Sequence, residues 1–287
     1  MLQKVMGGKV QYLDVMNKER LENIKGDLER SQLKLKQIED KLEQSSHTNL
    51  PKAVDRIDPT IYTTEIHSYN GLLLSNKEFE TDLHRESVGG MWEEIGKLQL
   101  DFILNQGLKP GMKLVDIGCG CLRGGVHFIR YLNSGNYYGI DINSSLIDAG
   151  YQQELDVTSR KKLPKINLLV NAHFELYLLG VEFDFALAQS VFTHLPLNHI
   201  RRCLFELAKC VKQGGKFYAT FFECSSESVY TVITHQPGGI ITYMDSDPYH
   251  YQLQDFFWCI KGLPWTITYI GDWNHPRGQK MLLFTKT

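Results

Sequence analysis

The sequence predicts an α/β protein with a doubly wound, mostly parallel sheet of seven strands, which ends in an antiparallel C-terminal hairpin and follows an N-terminal coiled-coil helix. Three features predict this fold class. Short apolar segments alternate with amphipathic ones from residue 113 onward, only residues 271–279 separate the last two apolar segments, and leucine recurs every seven residues near the N-terminus. A chain of 287 residues can hold one large domain and an accessory element.

The first fifty residues, 1–50, have the pattern of a coiled-coil helix. Leu21, Leu28, Leu35 and Leu42 recur at heptad spacing, with isoleucine at two of the matching d positions. A single helix cannot bury so narrow an apolar stripe alone. We therefore expect a homo-oligomer that forms through this helix; the alternative is a helix that packs against the domain that follows it.

Residues 51–88 are expected to form a linker and lid, because their first part is polar and contains two prolines. The main domain is expected over residues 89–287. Trp92, Ile95 and Leu98 have near-helical spacing, so a helix should lie at the start of this domain.

The main domain is predicted to alternate strands and helices. Apolar strands in repeated β–α units are typical of a parallel sheet that is covered on both faces, and two strands joined by a short loop pair as an antiparallel hairpin. A helix is predicted from Leu197 through Val211, ending at the glycine pair 214–215. The predicted strands are 113–117, 137–142, 166–170, 183–189, 216–222, 265–270 and 280–285.

The composition excludes several classes of protein. Apolar residues make up 43% and charged residues 22% of the chain, as in ordinary soluble proteins. A net charge of −2 differs from the basic surface of a nucleic-acid or anionic-membrane binder. The chain has no apolar run of about 18 residues and no signal-peptide core near its start, so we expect a cytoplasmic protein without a membrane span.

The six cysteines fall mostly inside apolar segments and are expected to be buried free thiols, as in a reducing compartment. Cys119 and Cys121 form a lone C-x-C pair without a second Cys/His pair nearby. Zinc sites need about four such ligands, so we expect no metal.

The segment VDIGCGCLRGG, residues 115–125, carries the main functional signal. A strand stops at a glycine loop, with the acid Asp116 two residues before Gly118. The spacing G-x-G-x-x-x-G is one residue longer than the dinucleotide fingerprint, and a carboxylate would repel a pyrophosphate. S-adenosylmethionine, which has an ammonium and a sulfonium and no phosphate, fits better. Asp141, at the end of the next strand, can accept hydrogen bonds from ribose hydroxyls; the alternative for it is a helix N-cap.

Three motifs, in order, resemble the motif series of class I S-adenosylmethionine-dependent methyltransferases: VDIGCG, YGIDIN and FDFALAQSVFTHLP. The resemblance covers residues 89–287 and implies a Rossmann-like methyltransferase fold with a seven-stranded sheet. The segments WEEIGKLQL, GCGCLRGG, AQSVFTHL and WNHPRGQ further resemble methyltransferases of bacterial surface-polysaccharide gene clusters. This implies O-methylation of a sugar or glycan-linked acceptor in capsule or surface-polysaccharide synthesis; the alternative is another small molecule or a protein as acceptor.

The resemblance also assigns cofactor contacts by position. The first acid holds the amino group, the second holds the ribose, the end of the third strand caps the adenine, and the end of the fourth lies under the methionyl arm. Arg123 pairs with the methionyl carboxylate or is a surface residue. The cofactor-binding residues implied are Asp116, Gly118, Cys119, Gly120, Arg123, Asp141, Ile142, Ala172, His173, Phe174, Gln189 and Ser190.

A sugar hydroxyl is a poor nucleophile and should need a general base. His194, which follows the fourth predicted strand, is the first candidate for this base. His275, in the loop between the last two strands, is the second.

Acceptor binding is expected from three parts of the chain. The long segment 223–252 is rich in tyrosine and acidic residues, and aromatic rings stack on sugar faces. The loop GDWNHPRGQ offers an aromatic ring and a guanidinium, and a tryptophan at the start of the domain could close over the site. The expected substrate-binding residues are Trp92, Tyr243, Tyr249, Trp273 and Arg277.

The sequence also bears on two other function classes. Nucleic-acid N-methyltransferases usually carry an Asn/Asp-Pro-Pro-aromatic tetrad after the fourth strand, whereas residues 189–192 read Gln-Ser-Val-Phe, so no nucleic-acid partner is expected. A scaffold without catalysis would not need the glycine loop or Asp141. Calorimetry with S-adenosylmethionine distinguishes an enzyme from such a scaffold.

Overall fold

The computed structural model describes residues 83–287 and Lys36, which lies in an α-helix. The rest of the predicted coiled-coil helix and most of the predicted linker and lid lie outside the described residues. Within residues 83–287 no helix is both long and apolar enough to cross a lipid bilayer.

Seven α-helices lie between residues 83 and 287. They are α1 (Leu83–Ser87), α2 (Trp92–Asn105), α3 (Gly125–Tyr131), α4 (Ser144–Ala149), α5 (Val157–Lys162), α6 (Leu197–Ala208) and α7 (Leu253–Ile260). The start of α2 confirms the helix expected from the spacing of its apolar residues. A π-helical turn, Gly150–Glu154, follows α4, and 3-10 turns lie at Lys165–Asn167, Leu176–Leu179 and Phe192–His194.

Ten strands lie in the same range. They are β1 (Leu114–Ile117), β2 (Tyr137–Asp141), β3 (Leu168–Val170), β4 (Phe183–Ala188), β5 (Val211–Glu223), β6 (Ile233–His235), β7 (Ile240–Thr242), β8 (His250–Tyr251), β9 (Trp265–Gly271) and β10 (Lys280–Lys286). Each of the seven predicted strands is present, with ends moved by a few residues.

The main sheet has the order β3-β2-β1-β4-β5-β10-β9. The first five strands in the chain run parallel, and β10 pairs antiparallel with both β5 and β9. The predicted mostly parallel sheet with an antiparallel C-terminal hairpin is therefore confirmed. Two features were not predicted: β8 adds to the end of β5 in parallel, and β6 and β7 form a separate antiparallel hairpin.

The helix predicted to continue through Val211 ends earlier, at Ala208. Val211 instead pairs with Phe183 in the sheet and is fully buried. The glycine pair 214–215 lies inside β5 and not at a helix end. Pairing with β4 decides this boundary, and the local sequence does not record that pairing.

The sheet is covered by helices on both faces. Along β1, Leu114 contributes to the core that includes residues of α2 and α3, whereas Val115 and Ile117 contribute to the core that includes residues of α6 and α7. This alternation follows from the two-residue period of a strand. Asp116 therefore points to the same side as Leu114, although it is charged.

Strand order reverses between β1 and β4, because β1 is followed by β2 on one side and β4 lies on the other. Ligands of open α/β sheets bind at the carboxyl ends of the strands beside such a reversal. The loops after β1, β2, β3 and β4 therefore meet where a ligand is expected.

Candidate functional site

The loop after β1 turns sharply and lies against its neighbours. Gly118 has a φ of +68°, and the backbone N–H groups of Gly118 and Cys119 donate to the carbonyl of Ile140 at 2.8 and 3.1 Å. A Cβ at Gly118 would collide with Cγ2 of Val191. Only glycine fits this position. The backbone there is left-handed, and the loop after β4, which carries Val191, lies too close for a Cβ.

A cavity of about 300 Å³ opens above this loop, which is within the size range of small-molecule sites. It is lined by the segments that follow five strands, and by Val88 and Gly89 from before α2. These segments are 117–120, 140–142, 171–174, 189–195 and the end of β5, with His173 and Phe192 outside the lining. The predicted edge of the sheet therefore holds the largest part of the site.

Asp116 lies at the floor of the cavity and is 3% exposed. Its carboxylate accepts a hydrogen bond from the hydroxyl of Tyr137 at 2.9 Å. Burial raises the pKa of Asp116 to about 7, although the Tyr137 hydrogen bond opposes this shift. A buried acid of this kind is stabilised in its charged form by a cationic ligand.

Asp141 ends β2 and faces the glycine loop. One carboxylate oxygen accepts from the N–H of Gly120 and the other from the N–H of Asn143, both at 2.8 Å. Burial raises the pKa of Asp141, while these backbone hydrogen bonds act in the opposite direction. The N-cap of α4 is Asn143, whose side chain accepts from Ser145 and Leu146. Asp141 is thus not the helix cap.

Gln189, at the end of β4, lines the cavity and is 7% exposed. One terminal atom of its amide contacts Ser190, His275 and Gln279, at 3.0, 3.0 and 3.5 Å. The other terminal atom is buried and has no hydrogen-bond partner among the described residues. Buried polar atoms are almost always paired, so this atom is suited to a polar ligand in the cavity.

S-adenosylmethionine fits these residues. Its methionyl end carries both an ammonium and a carboxylate, which suit Asp116 and the unpaired amide atom of Gln189. Its ribose hydroxyls suit the carboxylate of Asp141. The bare backbone between Gly118 and Gly120 allows close approach of the remainder.

His194 lies on the cavity wall beyond the end of β4. Its Nδ1 is 2.5 Å from the Oδ1 of Asp247, which belongs to the segment between β7 and β8. The side chains are 26% and 15% exposed, respectively. This pair joins the end of β4 to the insertion 223–252, and a His–carboxylate pair is the usual arrangement of an oriented general base.

The structure brings together most of the predicted site residues. Eleven of the twelve predicted cofactor-binding residues line the cavity, and His173 does not. His194 and Arg277 also line it. The insertion lines the cavity with Ile240 and Pro248.

His275 does not line the cavity. It is 5% exposed, and burial lowers its pKa to about 3, with the charges of Arg123 and Arg277 adding to the effect. A group with this pKa does not take a proton from a hydroxyl near neutral pH. The position of His275 therefore does not fit the predicted role of a base.

Four predicted substrate-binding residues also lie outside the cavity lining. Trp273 is buried and donates its ring N–H to the carbonyl of Gln279 at 3.0 Å. Tyr249 stacks on Tyr251 with ring centroids 6.0 Å apart. The other two are Trp92, which lies under the guanidinium of Arg85, and Tyr243. The sequence shows that these side chains are aromatic, but it does not show whether they point into the cavity.

A backbone strap, residues 88–90, contributes Val88 and Gly89 to the cavity lining and was not predicted. Arg123 donates to the carbonyls of Val88 and Gly90 at 2.8 and 2.9 Å, and Arg277 donates to the carbonyl of Gly89 at 2.5 Å. The charge of both arginines is evident from the sequence. Their role in holding this strap depends on contacts between segments far apart in the chain.

Asp245, Asp247 and His250 follow β7 along the chain. Among the described residues no cluster of three or more His, Cys, Asp or Glu side chains could hold a metal ion. His250 is instead buried and bonded to Thr242 and to the carbonyl of Val229.

Comparison with known proteins agrees with this geometry. A family described as "Methyltransferase domain" matches residues 115–217, which include the glycine loop, β2 and the end of β4. The match therefore covers the cavity floor but not the insertion or the C-terminal hairpin.

Solved structures share the fold. An S-adenosylmethionine-dependent methyltransferase from Clostridium acetobutylicum ATCC 824 superposes with a TM-score of 0.52 and 9% identity, over 74% of this chain and 98% of that one. The pyocyanin biosynthetic protein PhzM superposes with a TM-score of 0.51 and 13% identity, over 74% of this chain and 61% of that one. Magnesium protoporphyrin IX methyltransferase from Synechocystis PCC 6803, solved with bound S-adenosylmethionine, has a TM-score of 0.49 and 15% identity, over 83% and 100%.

Proposed function

We propose that this S-adenosylmethionine-dependent methyltransferase methylates a hydroxyl oxygen of a sugar or glycan-linked acceptor, with His194 as the general base. The observation that carries the proposal is the contact of 2.5 Å between Nδ1 of His194 and Asp247 at the cavity wall. Amine and thiolate acceptors need little help from a base, whereas a hydroxyl does.

The chemistry follows from these groups. When bound, S-adenosylmethionine supplies a methyl group that is already activated by a sulfonium. A carboxylate on Nδ1 favours the tautomer with the proton on Nδ1 and the lone pair on Nε2. Nε2 of His194 would take the proton of the acceptor hydroxyl, so that its oxygen could bond to the methyl carbon as the methyl–sulfur bond breaks and S-adenosylhomocysteine leaves. Asp247 would stabilise the imidazolium that results.

The proposed cofactor contacts follow the cavity floor. Asp116 holds the ammonium and Asp141 the ribose hydroxyls, while Ile142 packs on the adenine. Backbone of the glycine loop approaches the ribose and the methionyl part. The proposed remaining contacts are Ala172 and Phe174 at the adenine, with Gln189, Ser190 and Arg123 at the methionyl end; all of them line the cavity.

The acceptor is proposed to enter between the insertion and the β9–β10 loop. Phe222, Ile240 and Pro248 form an apolar wall there, and Arg277 adds a positive charge to the lining. An apolar surface with a few polar groups suits a sugar ring with an anionic substituent. The motif resemblance to enzymes of surface-polysaccharide clusters supports capsule or surface-polysaccharide synthesis as the setting.

Two further parts of the proposal concern the whole chain. The heptad leucines of residues 1–50 support self-association through a coiled-coil helix. The six cysteines are all free and buried, which supports a reducing compartment such as the cytoplasm.

The test is a screen of nucleotide sugars and glycan termini for formation of S-adenosylhomocysteine. On an acceptor that reacts, His194→Ala should lower kcat by about 10²–10⁴-fold, the usual contribution of a general base, and leave cofactor affinity unchanged. His127→Ala, a half-buried histidine outside the cavity lining, is the matched control. A near-normal kcat for His194→Ala would remove it as the base.

A further inference from the structure

Five polar side chains form a hydrogen-bonded cluster beneath the cavity: Ser190, Thr220, Gln279, Gln189 and His275. The hydroxyl of Thr220 accepts from the N–H of Ser190 at 2.7 Å and therefore donates its own proton to Oε1 of Gln279, also at 2.7 Å. Nε2 of Gln279 then donates to the hydroxyl of Ser190 at 2.9 Å. These bonds fix the direction of the chain as far as Ser190, whose own proton can go either to Oε1 of Gln279 at 3.1 Å or to the terminal atom of Gln189 at 3.0 Å.

The protonation of His275 is fixed from the other side. The backbone N–H of Arg277 donates to its Nδ1 at 3.2 Å, so that nitrogen must carry a lone pair. Burial keeps the ring neutral by lowering its pKa to about 3. A neutral imidazole has one proton, so it lies on Nε2. That nitrogen is 3.0 Å from a terminal atom of the Gln189 amide.

The terminal atom of Gln189 that lies between His275 and Ser190 therefore faces one fixed donor, Nε2 of His275. An amide nitrogen there would oppose that proton, whereas an oxygen accepts it and can also accept from the hydroxyl of Ser190. The oxygen and nitrogen of an amide are assigned from such networks. With the oxygen in this place, the 3.0 Å contact with His275 has one donor and one acceptor, and the longer contact of 3.5 Å with Oε1 of Gln279 is no hydrogen bond.

We infer that Gln189 turns its amide oxygen toward His275 and Ser190 and presents its N–H donors to the cavity, where they bind the carboxylate of the methionyl group of the cofactor. The atom so turned is the one that has no partner among the described residues. His275 acts in this arrangement as a positioning residue, because its Nε2 proton holds the amide in one orientation.

The surrounding charges agree with a carboxylate at this end. The guanidiniums of Arg123 and Arg277 lie near enough to His275 to contribute to its lowered pKa, and both residues line the cavity. These charges favour a carboxylate near His275. The acids Asp116 and Asp141 line the same cavity and attract the ammonium. The cavity thus offers charges of both signs to a zwitterion.

The inference rests on the cofactor of the proposed function and is independent of the acceptor. Calorimetry with S-adenosylmethionine and with decarboxylated S-adenosylmethionine tests it. The wild type should prefer the intact cofactor by about tenfold or more, as expected for a hydrogen bond to a charged group. Gln189→Glu should weaken binding of the intact cofactor by at least as much and abolish the preference, because it sets a carboxylate against a carboxylate.

The sign of the change in affinity caused by Gln189→Glu distinguishes the two orientations of the amide. If the side-chain oxygen of Gln189 faced the ammonium, Gln189→Glu would tighten both ligands, which would overturn the inference, as would equal affinity of the wild type for the two. Gln152→Glu, an exposed position away from the cavity, controls for the added charge. Failure of both ligands to bind the wild type would instead overturn the proposed function.

A second measurement does not depend on whether the Gln189 variant folds. Nitrogen-15 NMR of the wild type, with His275 assigned by comparison with His275→Gln, should show a protonated Nε2 and an unprotonated Nδ1. The pattern should not change between pH 6 and 8, because the pKa is about 3. A proton on Nδ1, or a cationic ring in this range, would contradict the assignment.

Discussion

Replacing Asp116 with asparagine tests the electrostatics of the cavity floor. Asp116 is 3% exposed, and its carboxylate accepts from the hydroxyl of Tyr137. Asparagine has nearly the same shape and keeps an oxygen for this hydrogen bond, but it cannot ionise. The substitution therefore isolates the cost of the buried charge from the cost of lost packing.

The size of the effect on the free energy of unfolding follows from the pKa of Asp116. Burial raises the pKa of Asp116 from its ordinary value of 3.8 to about 7. A tenfold change in an ionisation constant is about 1.4 kcal/mol, so ionised Asp116 lowers the free energy of unfolding by at most about 4 kcal/mol. Because the folded pKa is raised, stability from the protonated acid is fully present below pH 3.8 and is lost as the pH rises through 7.

Cofactor affinity should rise with pH, whereas the free energy of unfolding falls. The ammonium of S-adenosylmethionine would pair with ionised Asp116, so affinity of the wild type should rise as the pH increases from 6 to 8. Asp116→Asn should bind about 1.5–3 kcal/mol more weakly at pH 8, the range for a hydrogen bond to a charged group. At pH 6, where most of the acid is protonated, the difference should be smaller.

Urea unfolding without cofactor, at pH 5, 6.5 and 8, measures the first effect, and calorimetry measures the second. The stability of Asp116→Asn relative to the wild type should increase with pH over this range. Asp184→Asn is the control. Asp184, near the start of β4, accepts from Lys212 and from the N–H of Lys113. Its replacement should therefore only lower the free energy of unfolding. A stability difference for Asp116→Asn that is constant with pH would refute the reasoning.

Three other predictions concern the cofactor, the glycine loop and the N-terminal region. Asp141→Ala should weaken S-adenosylmethionine binding by about 1.5–3 kcal/mol in calorimetry, and unchanged affinity would remove it from the site. Gly118→Ala should lower the free energy of unfolding by more than the about 1–2 kcal/mol of left-handed strain, because its Cβ meets Val191; in urea unfolding, Gly180→Ala, with similar φ and open space, should show strain alone, and equal losses would contradict the collision. Deleting residues 1–45 should reduce the mass in light scattering and leave cofactor affinity intact, whereas an unchanged mass would exclude the coiled coil as the oligomer contact.

Two histidines show where sequence reasoning stopped. His194 and His275 both follow strands at the same edge of the sheet, and both have polar neighbours in the sequence. In the structure, His194 lines the cavity beside Asp247, whereas His275 is buried beneath Gln189. Their environments differ because of residues more than fifty positions away, and these environments decide which ring can serve as a base.

The sequence alone determined the sheet and the floor of its cavity. Strand periodicity, the positions of the glycines and the acid at the end of each of the first two strands are local properties, since a parallel sheet brings the carboxyl ends of its strands to one edge. The residues that carry those signals, Asp116, Gly118 and Asp141, line the cavity in the structure.

Only the tertiary structure decided what surrounds that floor. The strap at residues 88–90, the pairing of His194 with Asp247 and the exclusion of Trp273 from the lining arise from contacts between distant segments. The direction of a side chain in a loop or insertion depends on which partner satisfies its hydrogen bonds and which apolar surface it covers. Neither the hydrogen-bond partner nor the covered apolar surface produces a repeating pattern in the sequence.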